Sequence, residues 1–189
     1  MSNCTGIITG GIDKDCPTIN ASVGADKDLI LVNYNDFDRT ATLATRELDD
    51  TNGNIGGLST IELKEGAIQY IFEGTDYSVV PNVTTEIKEN GDAWYIHSLA
   101  FMVYSKKAKD RKTLEDLGES RVVAITVDRS TGLYEIFGVD QGLKLSGLER
   151  AYVGTQNSNF YAVTIATPDI AVVREGSLGE LAVAINTAV

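Results

Sequence analysis

Ala93-Trp94-Tyr95-Ile96-His97-Ser98-Leu99-Ala100-Phe101-Met102-Val103-Tyr104 is the longest β-like run in the chain, and its reading decides the fold. Side chains alternate across a strand, so Tyr95, His97, Leu99, Phe101 and Val103 form one face. Trp94, Ile96, Ser98, Ala100, Met102 and Tyr104 form the other. Both faces are largely apolar, which predicts a strand covered on both sides. Glu89-Asn90-Gly91-Asp92, just before it, is a turn signal.

Upstream, Leu29-Ile30-Leu31-Val32 reads as a buried strand closed by the turn formers Asn33-Tyr34-Asn35-Asp36. The stretch Asp49-Asp50-Thr51-Asn52-Gly53-Asn54-Ile55-Gly56-Gly57 reads as a loop. Ile61, Leu63, Ile68, Tyr70 and Phe72 alternate loosely, interrupted by Gly66 and Gly74, and predict two short strands. Residues 1–27 mix Gly6, Gly10, Gly11, Pro17 and Gly24 with only short apolar pairs. They read as an arm preceding a single domain over 28–189.

Downstream, Ser105 to Glu119 is polar, carries Leu114 and Leu117 three apart, and reads as a helix stopped near Gly118. Its start is signalled either at Ser105 or by the capping-box pattern Thr113-Leu114-Glu115-Asp116. Arg121–Val127 and Leu133–Phe137 flank Asp128-Arg129-Ser130-Thr131-Gly132 and form the clearest hairpin. Gly142 to Gly154 reads as turn-rich, and Phe160–Ala166 as a strand ended by Pro168-Asp169. At the end, Ser177-Leu178-Gly179-Glu180 and the spacing of Leu181, Ala184, Ile185 and Ala188 favour a short helix over a strand from Leu181 to Val189. The expected fold class is mainly β, a sandwich or barrel with one flanking α-helix, α+β by content.

At 189 residues, 43% hydrophobic and 23% charged, the composition is that of a folded globular domain with room for a substantial core. No run approaches the ~18 apolar residues of a membrane-crossing helix. The opening Met1–Asp15 has neither a basic region nor an apolar h-region, so the chain is expected to stay in the cytoplasm of the cell that makes it. The sequon Asn82-Val83-Thr84 then carries no meaning. Cys4 and Cys16 are expected as thiols, with a disulfide left open after lysis.

A net charge of −11 opposes binding to phosphate backbones, while allowing a surface past which DNA moves without being gripped. Two cysteines and one histidine at unrelated spacing supply too few ligands for zinc. Any mechanism that needs histidine must run through His97, which sits inside an apolar strand and reads as a packing residue. Neither of the two common phosphate-cradling motifs is present. The acidic pairs Asp49-Asp50 and Glu115-Asp116 read as solvated surface, because adjacency in sequence is not the facing geometry of catalytic or calcium-binding carboxylates. No catalytic residue, metal or cofactor is expected.

Lys106, Lys107, Lys109, Arg111 and Lys112 place five of the sixteen positive charges in seven positions, ahead of Glu115, Asp116 and Glu119. That order runs against the helix macrodipole. Two explanations compete: i,i+4 pairs from Arg111 to Glu115 and from Lys112 to Asp116, or an acidic surface on a neighbouring subunit. These five residues are the candidate subunit contact.

The order of a turn, a long strand ending Leu99-Ala100-Phe101-Met102-Val103-Tyr104, a polar helix with Asp110-Arg111 and Leu114, then Arg121-Val122-Val123-Ala124-Ile125-Thr126-Val127 resembles the tail tube proteins of tailed bacteriophages. The likeness continues through Leu133-Tyr134-Glu135-Ile136-Phe137-Gly138, Gly142-Leu143-Lys144-Leu145-Ser146-Gly147 and Tyr161-Ala162-Val163-Thr164-Ile165, about half the chain. Cys4, Gly10-Gly11-Ile12, Asp15-Cys16 and Asn33-Tyr34-Asn35-Asp36 are similar to the openings of tube-like and ring-like virion proteins of phages infecting gut Bacteroidetes.

The resemblance implies a β-sandwich with a flanking helix, whose hairpins join between subunits into a barrel around a commonly acidic lumen. Rings then stack through loops and terminal arms. The implied partners are the chain itself, in a closed ring such as a hexamer or dodecamer, neighbouring tail or portal proteins, and genomic DNA passing without specific binding. No membrane partner is implied. The implied location is the virion tail or neck. Alternatives carried alongside are a portal-to-tail ring or adaptor, a capsid-decorating protein, and a carbohydrate- or receptor-binding β-sandwich module.

Overall fold

The computed structural model describes residue 25 and residues 28–46, 57–75, 78–87, 89, 91–104, 107–129, 131–152, 159–168 and 175–187. The expected arm, the loop over 49–56 and Lys106 lie outside these residues. Ala25 is the exception within the expected arm: it bridges Asp128 and packs against the core.

Among the described residues, ten strands and two α-helices follow in order. They are β1 (Asp28–Asn33), a 3-10 turn (Tyr34–Asp36), α1 (Arg39–Ala44), β2 (Leu58–Leu63), β3 (Gln69–Glu73), β4 (Val79–Ile87), β5 (Ala93–Val103), α2 (Ala108–Glu119), β6 (Val122–Val127), β7 (Tyr134–Phe137), β8 (Lys144–Tyr152), β9 (Asn159–Ala166) and β10 (Glu180–Thr187). The strands form a six-stranded sheet, β2-β10-β7-β6-β1-β3, and a four-stranded sheet, β4-β5-β9-β8. All pairs are antiparallel except β10 with β2. The protein is mainly β with few helices.

The six-stranded sheet curls until it meets itself. Beyond β1, Phe37 bridges Leu63 of β2, with Asp38 N–H donating to Glu62 O at 3.0 Å and Lys64 N–H to Asp36 O at 2.9 Å. Inside this near-closed barrel lie Val32, Phe37, Leu58, Ile61, Leu63, Val123, Ile125, Ile136 and Ala182. The alternate residues of the same strands, among them Leu29, Leu31, Val122, Ala124 and Phe137, face the four-stranded sheet and meet Leu99, Phe101, Val163 and Ile165. Both faces of β6 are therefore buried, which explains its unbroken apolar run Val122–Ile125.

The two sheets cross steeply. On β5, His97 stacks edge-on against Phe137 of β7, and Phe101 against Phe72 of β3. Three strand spacings separate β7 from β3, roughly 14 Å, and four residues of β5 span about 13 Å. Thus β5 runs across the strands of the other sheet, the orthogonal mode of sheet packing.

Several expectations need correction. The C-terminal segment is a strand, not a helix: β10 fills the gap between β2 and β7, where it supplies backbone hydrogen bonds to both, and ladder pairing overrides a short helical spacing. Leu181 and Val183 are consequently left 44% and 57% exposed. Gly142–Gly154 holds all of β8, nine residues long, in which Gly147 marks a register shift against β9. The run β5 is buried on one face only. His97, Leu99 and Phe101 are at most 2% exposed, while Ala100 and Met102 on the other face are exposed. A second, six-residue helix, α1, is capped by the Asp38 carboxylate, which accepts the Ala41 N–H at 2.9 Å.

Candidate assembly surfaces

Helix α2 begins at Ala108 with Lys107 as its N-cap, whose side chain does not cap the helix. The capping box expected at Thr113–Asp116 does not form, because Thr113 lies in mid-helix with its Oγ1 donating to Lys109 O at 3.1 Å. Leu114 and Leu117 are buried in the core and fix the helix's inner face. That leaves Lys107, Lys109, Arg111 and Lys112 exposed. Lys112 pairs with Asp116 at 2.8 Å as expected. Glu115 lies nearest Lys112, at 3.9 Å, and not Arg111; among the described residues Arg111 makes no ion pair. Lys112 thus meets two acids of its own helix, which accounts for part of the charge order.

Beside this cluster runs a groove between α2 and β3. Its wider end, about 530 Å³, is lined by Tyr70, Phe72, Val103, Tyr104, Lys107, Lys109 and Thr113. Toward the helix C-terminus it continues over Leu31, Leu117 and Val122. The groove exists because β3 ends the six-stranded sheet and has β1 as its only strand partner among the described residues. Tyr70 and Ile71 of this edge are 40% and 61% exposed.

The four-stranded sheet offers a second surface. Register places Thr84, Ser98 and Ala100, with Met102, Ala162 and Thr164, on its outer face, together with the charged Glu86 of β4 and Lys144 and Glu149 of β8. Its edges are β4 and β8, nine residues each. Pro81 removes a single N–H donor from β4.

The chain's titratable cluster lies inside. His97 is fully buried, and its Nδ1 accepts the Gly138 N–H at 3.1 Å. That bond places the ring proton on Nε2, which donates to Ser177 O at 2.7 Å. Burial holds the imidazole below its ordinary value, toward the neutral form. Next to it, the buried Glu175 carboxylate accepts the N–H groups of Asp140 at 2.8 Å and Gln141 at 2.9 Å. Burial pushes Glu175 up to about 7, against the two backbone bonds that favour its charged form.

Around this pair, Asp140 accepts Arg39 Nε–H at 3.0 Å and Gly176 N–H at 2.8 Å, and Tyr34 O–H donates to Asp140 O at 2.7 Å. His97 and Glu175 are both 0% exposed, so their polar atoms are spent on fastening β5, the 138–142 turn and the segment before β10 to one another. The sequence marked His97 as a packing residue, and its burial agrees. Glu175, Asp140, Arg39 and Tyr34 carried no signal, because their partners lie on separate elements up to 106 residues away.

No family model, no curated protein and no solved structure matches this chain.

Proposed function

We propose that this chain is a structural subunit of a tailed-phage virion, which associates with copies of itself into closed rings that form the tail tube or DNA-ejection conduit. The observation that carries this reading is the four-stranded sheet, bare on its outer face and flanked by two long strands, β4 and β8, that end the sheet. An uncovered edge is a template for pairing, and pairing β4 of one copy with β8 of the next is a head-to-tail contact that closes into a ring. The small side chains at the centre of that face, Ser98, Ala100, Ala162 and Thr164, suit either a lumen wall or a packed interface. The resemblance over residues 86–167, which includes β5, α2, β6 and β7, supports the same reading. A net charge of −11 per copy repels phosphate and favours passage of DNA over capture. The sealed His97–Glu175 cluster supports a non-enzymatic role.

Negative-stain electron microscopy of concentrated protein, with mass determination in solution, tests this. Hollow tubes are the expected result. Single closed rings would indicate a portal-to-tail adaptor instead, and a strict monomer at every concentration would overturn ring assembly and favour a capsid-decorating or carbohydrate-binding module.

A further inference from the structure

Strand β3, Gln69-Tyr70-Ile71-Phe72-Glu73, ends the six-stranded sheet, and no strand lies beyond it among the described residues. All five of its residues line the wider end of the α2–β3 groove. Neighbouring side chains of a strand point to opposite faces, so a groove lined by all five runs along the strand's edge, where its backbone N–H and C=O groups lie. Two features mark this edge as one that pairs. It holds no proline and no lysine and it meets β1 without a bulge, so the usual guards of a lone edge are missing. It also leaves Ile71 61% and Tyr70 40% exposed, on opposite faces.

The sequence of β3 is complementary to itself. Two identical antiparallel strands related by a two-fold axis can pair in several registers, and the one centred on Ile71 pairs all five residues. It sets Ile71 opposite Ile71 of the second copy, Tyr70 opposite Phe72 of the second copy, and Gln69 opposite Glu73 of the second copy. Aliphatic, aromatic and amide–carboxylate pairs all favour cross-strand contact, and no two like charges are opposed. Gln69 Nε2 donates one hydrogen to Thr187 Oγ1 at 3.3 Å and keeps a second for the carboxylate. Tyr70 and Phe72 lie opposite Leu31 and Leu29 of β1, so the added strand extends an apolar layer that otherwise stops at the sheet's end.

We infer that β3 of one copy pairs antiparallel with β3 of a second copy about a two-fold axis at Ile71, within the α2–β3 groove. The contact uses neither β4 nor β8 and goes beyond the ring reading above. It is isologous and closes on itself. Added to head-to-tail rings, it joins a copy in one ring to a copy in a second.

Cysteine cross-linking in a Cys4→Ser/Cys16→Ser background, which has no other thiol, tests the register. Residues opposed in an antiparallel pair have Cα atoms about 4.5–5.5 Å apart, within reach of a disulfide, whereas an offset of four residues adds roughly 13 Å. Ile71→Cys should therefore be trapped by mild oxidation as a covalent dimer. Gln69→Cys and Glu73→Cys should each stay unlinked alone and should link to each other when mixed. All three positions are at least half-exposed, and circular dichroism reports that each variant folds. Cross-linking of Gln69→Cys with itself, or failure of either expected link, would overturn the pairing. Ile71→Lys opposes two like charges and should lose the dimer while rings or tubes persist in electron micrographs; loss of the rings as well would make β3 part of the ring contact and overturn the two-fold pairing. Rings without cross-links sink this contact alone, and cross-links without rings sink the ring reading alone.

Discussion

The Glu175 carboxylate accepts the backbone N–H of Asp140 at 2.8 Å, and the Asp140 carboxylate accepts the N–H of the residue after Glu175, Gly176, at the same distance. Each acid thus caps the other's backbone. The clasp joins the 138–142 turn to the segment leading into β10, and Glu175 also exchanges both backbone bonds with Tyr95 at 3.0 Å. Proximity of Asp140 raises the Glu175 carboxyl further, while Arg39 opposes it.

This clasp makes stability depend on pH in a definite direction. Unfolded, Glu175 releases its proton near 4.5; folded, near 7. Across that window the native state binds more protons, so its stability falls as pH rises, by on the order of 3 kcal/mol in all. Urea unfolding at pH 5 and pH 8 should show a larger loss for wild type than for Glu175→Gln. An identical loss in both would place the titration elsewhere.

His97 acts with the opposite sign. Its native form is held neutral, so below pH 6.5 the unfolded chain takes up the proton more readily and stability drops as pH falls. His97→Ala removes that acid-side slope and also opens a cavity beside Phe137 and strands the Gly138 N–H. Together these should cost about 2–4 kcal/mol at neutral pH, measured by chemical denaturation.

Gly142 is confined twice. Its φ of +67° lies in the left-handed region, and a Cβ there would meet Arg121 Cγ at 2.5 Å and Tyr34 Cδ2 at 2.9 Å. Gly142→Ala should lower stability by about 1–3 kcal/mol, because Tyr34 is held by Asp140 and cannot withdraw freely. Gly132→Ala, with φ of +73° but open space around it, should cost less. The difference between the two thermal midpoints measures the steric part.

If the outer face of the four-stranded sheet serves assembly, a charge placed there should be felt between copies and not within one. Ala100→Lys and Met102→Lys should each leave the unfolding free energy within about 0.5 kcal/mol of wild type while abolishing rings or tubes in electron micrographs. Destabilisation of the monomer by either would show that the face is part of the fold.

Where the pattern was local, the fold was legible. The β6–β7 hairpin follows from alternation around Gly132, whose φ is +73°, and β1 follows from four apolar residues before a turn. Leu114 and Leu117 correctly marked the inner face of α2. What escaped depended on distant partners. The strand β8, Lys144–Tyr152, mixes Lys, Ser, Gly, Glu and Arg with two leucines three apart and so lacks a strand's alternation, and it pairs because β9 presents Val163 and Ile165 beside it. Likewise β10 is a strand because two other strands flank it, and Leu181 at helical spacing points to solvent. The basic cluster stood out as charge density, whereas the groove beside it needed β3 to end a sheet. The His97–Glu175 cluster is assembled from five separated segments, and no spacing rule reaches across them.

The position of β10 also sets the order in which the molecule can form. One flank of β2 has no partner until β10 exists, and Glu62 and Asn186, which meet across that pairing, are 124 residues apart. At a synthesis rate of ~5–20 residues per second, β2 waits roughly 6–25 seconds on the ribosome with that flank open. The barrel is therefore a late event in the life of each chain. Crowding of nascent copies during that interval exposes them to pairing with one another's β2, so the strand that completes the fold is also the one that decides whether a copy folds alone or tangled with its neighbour.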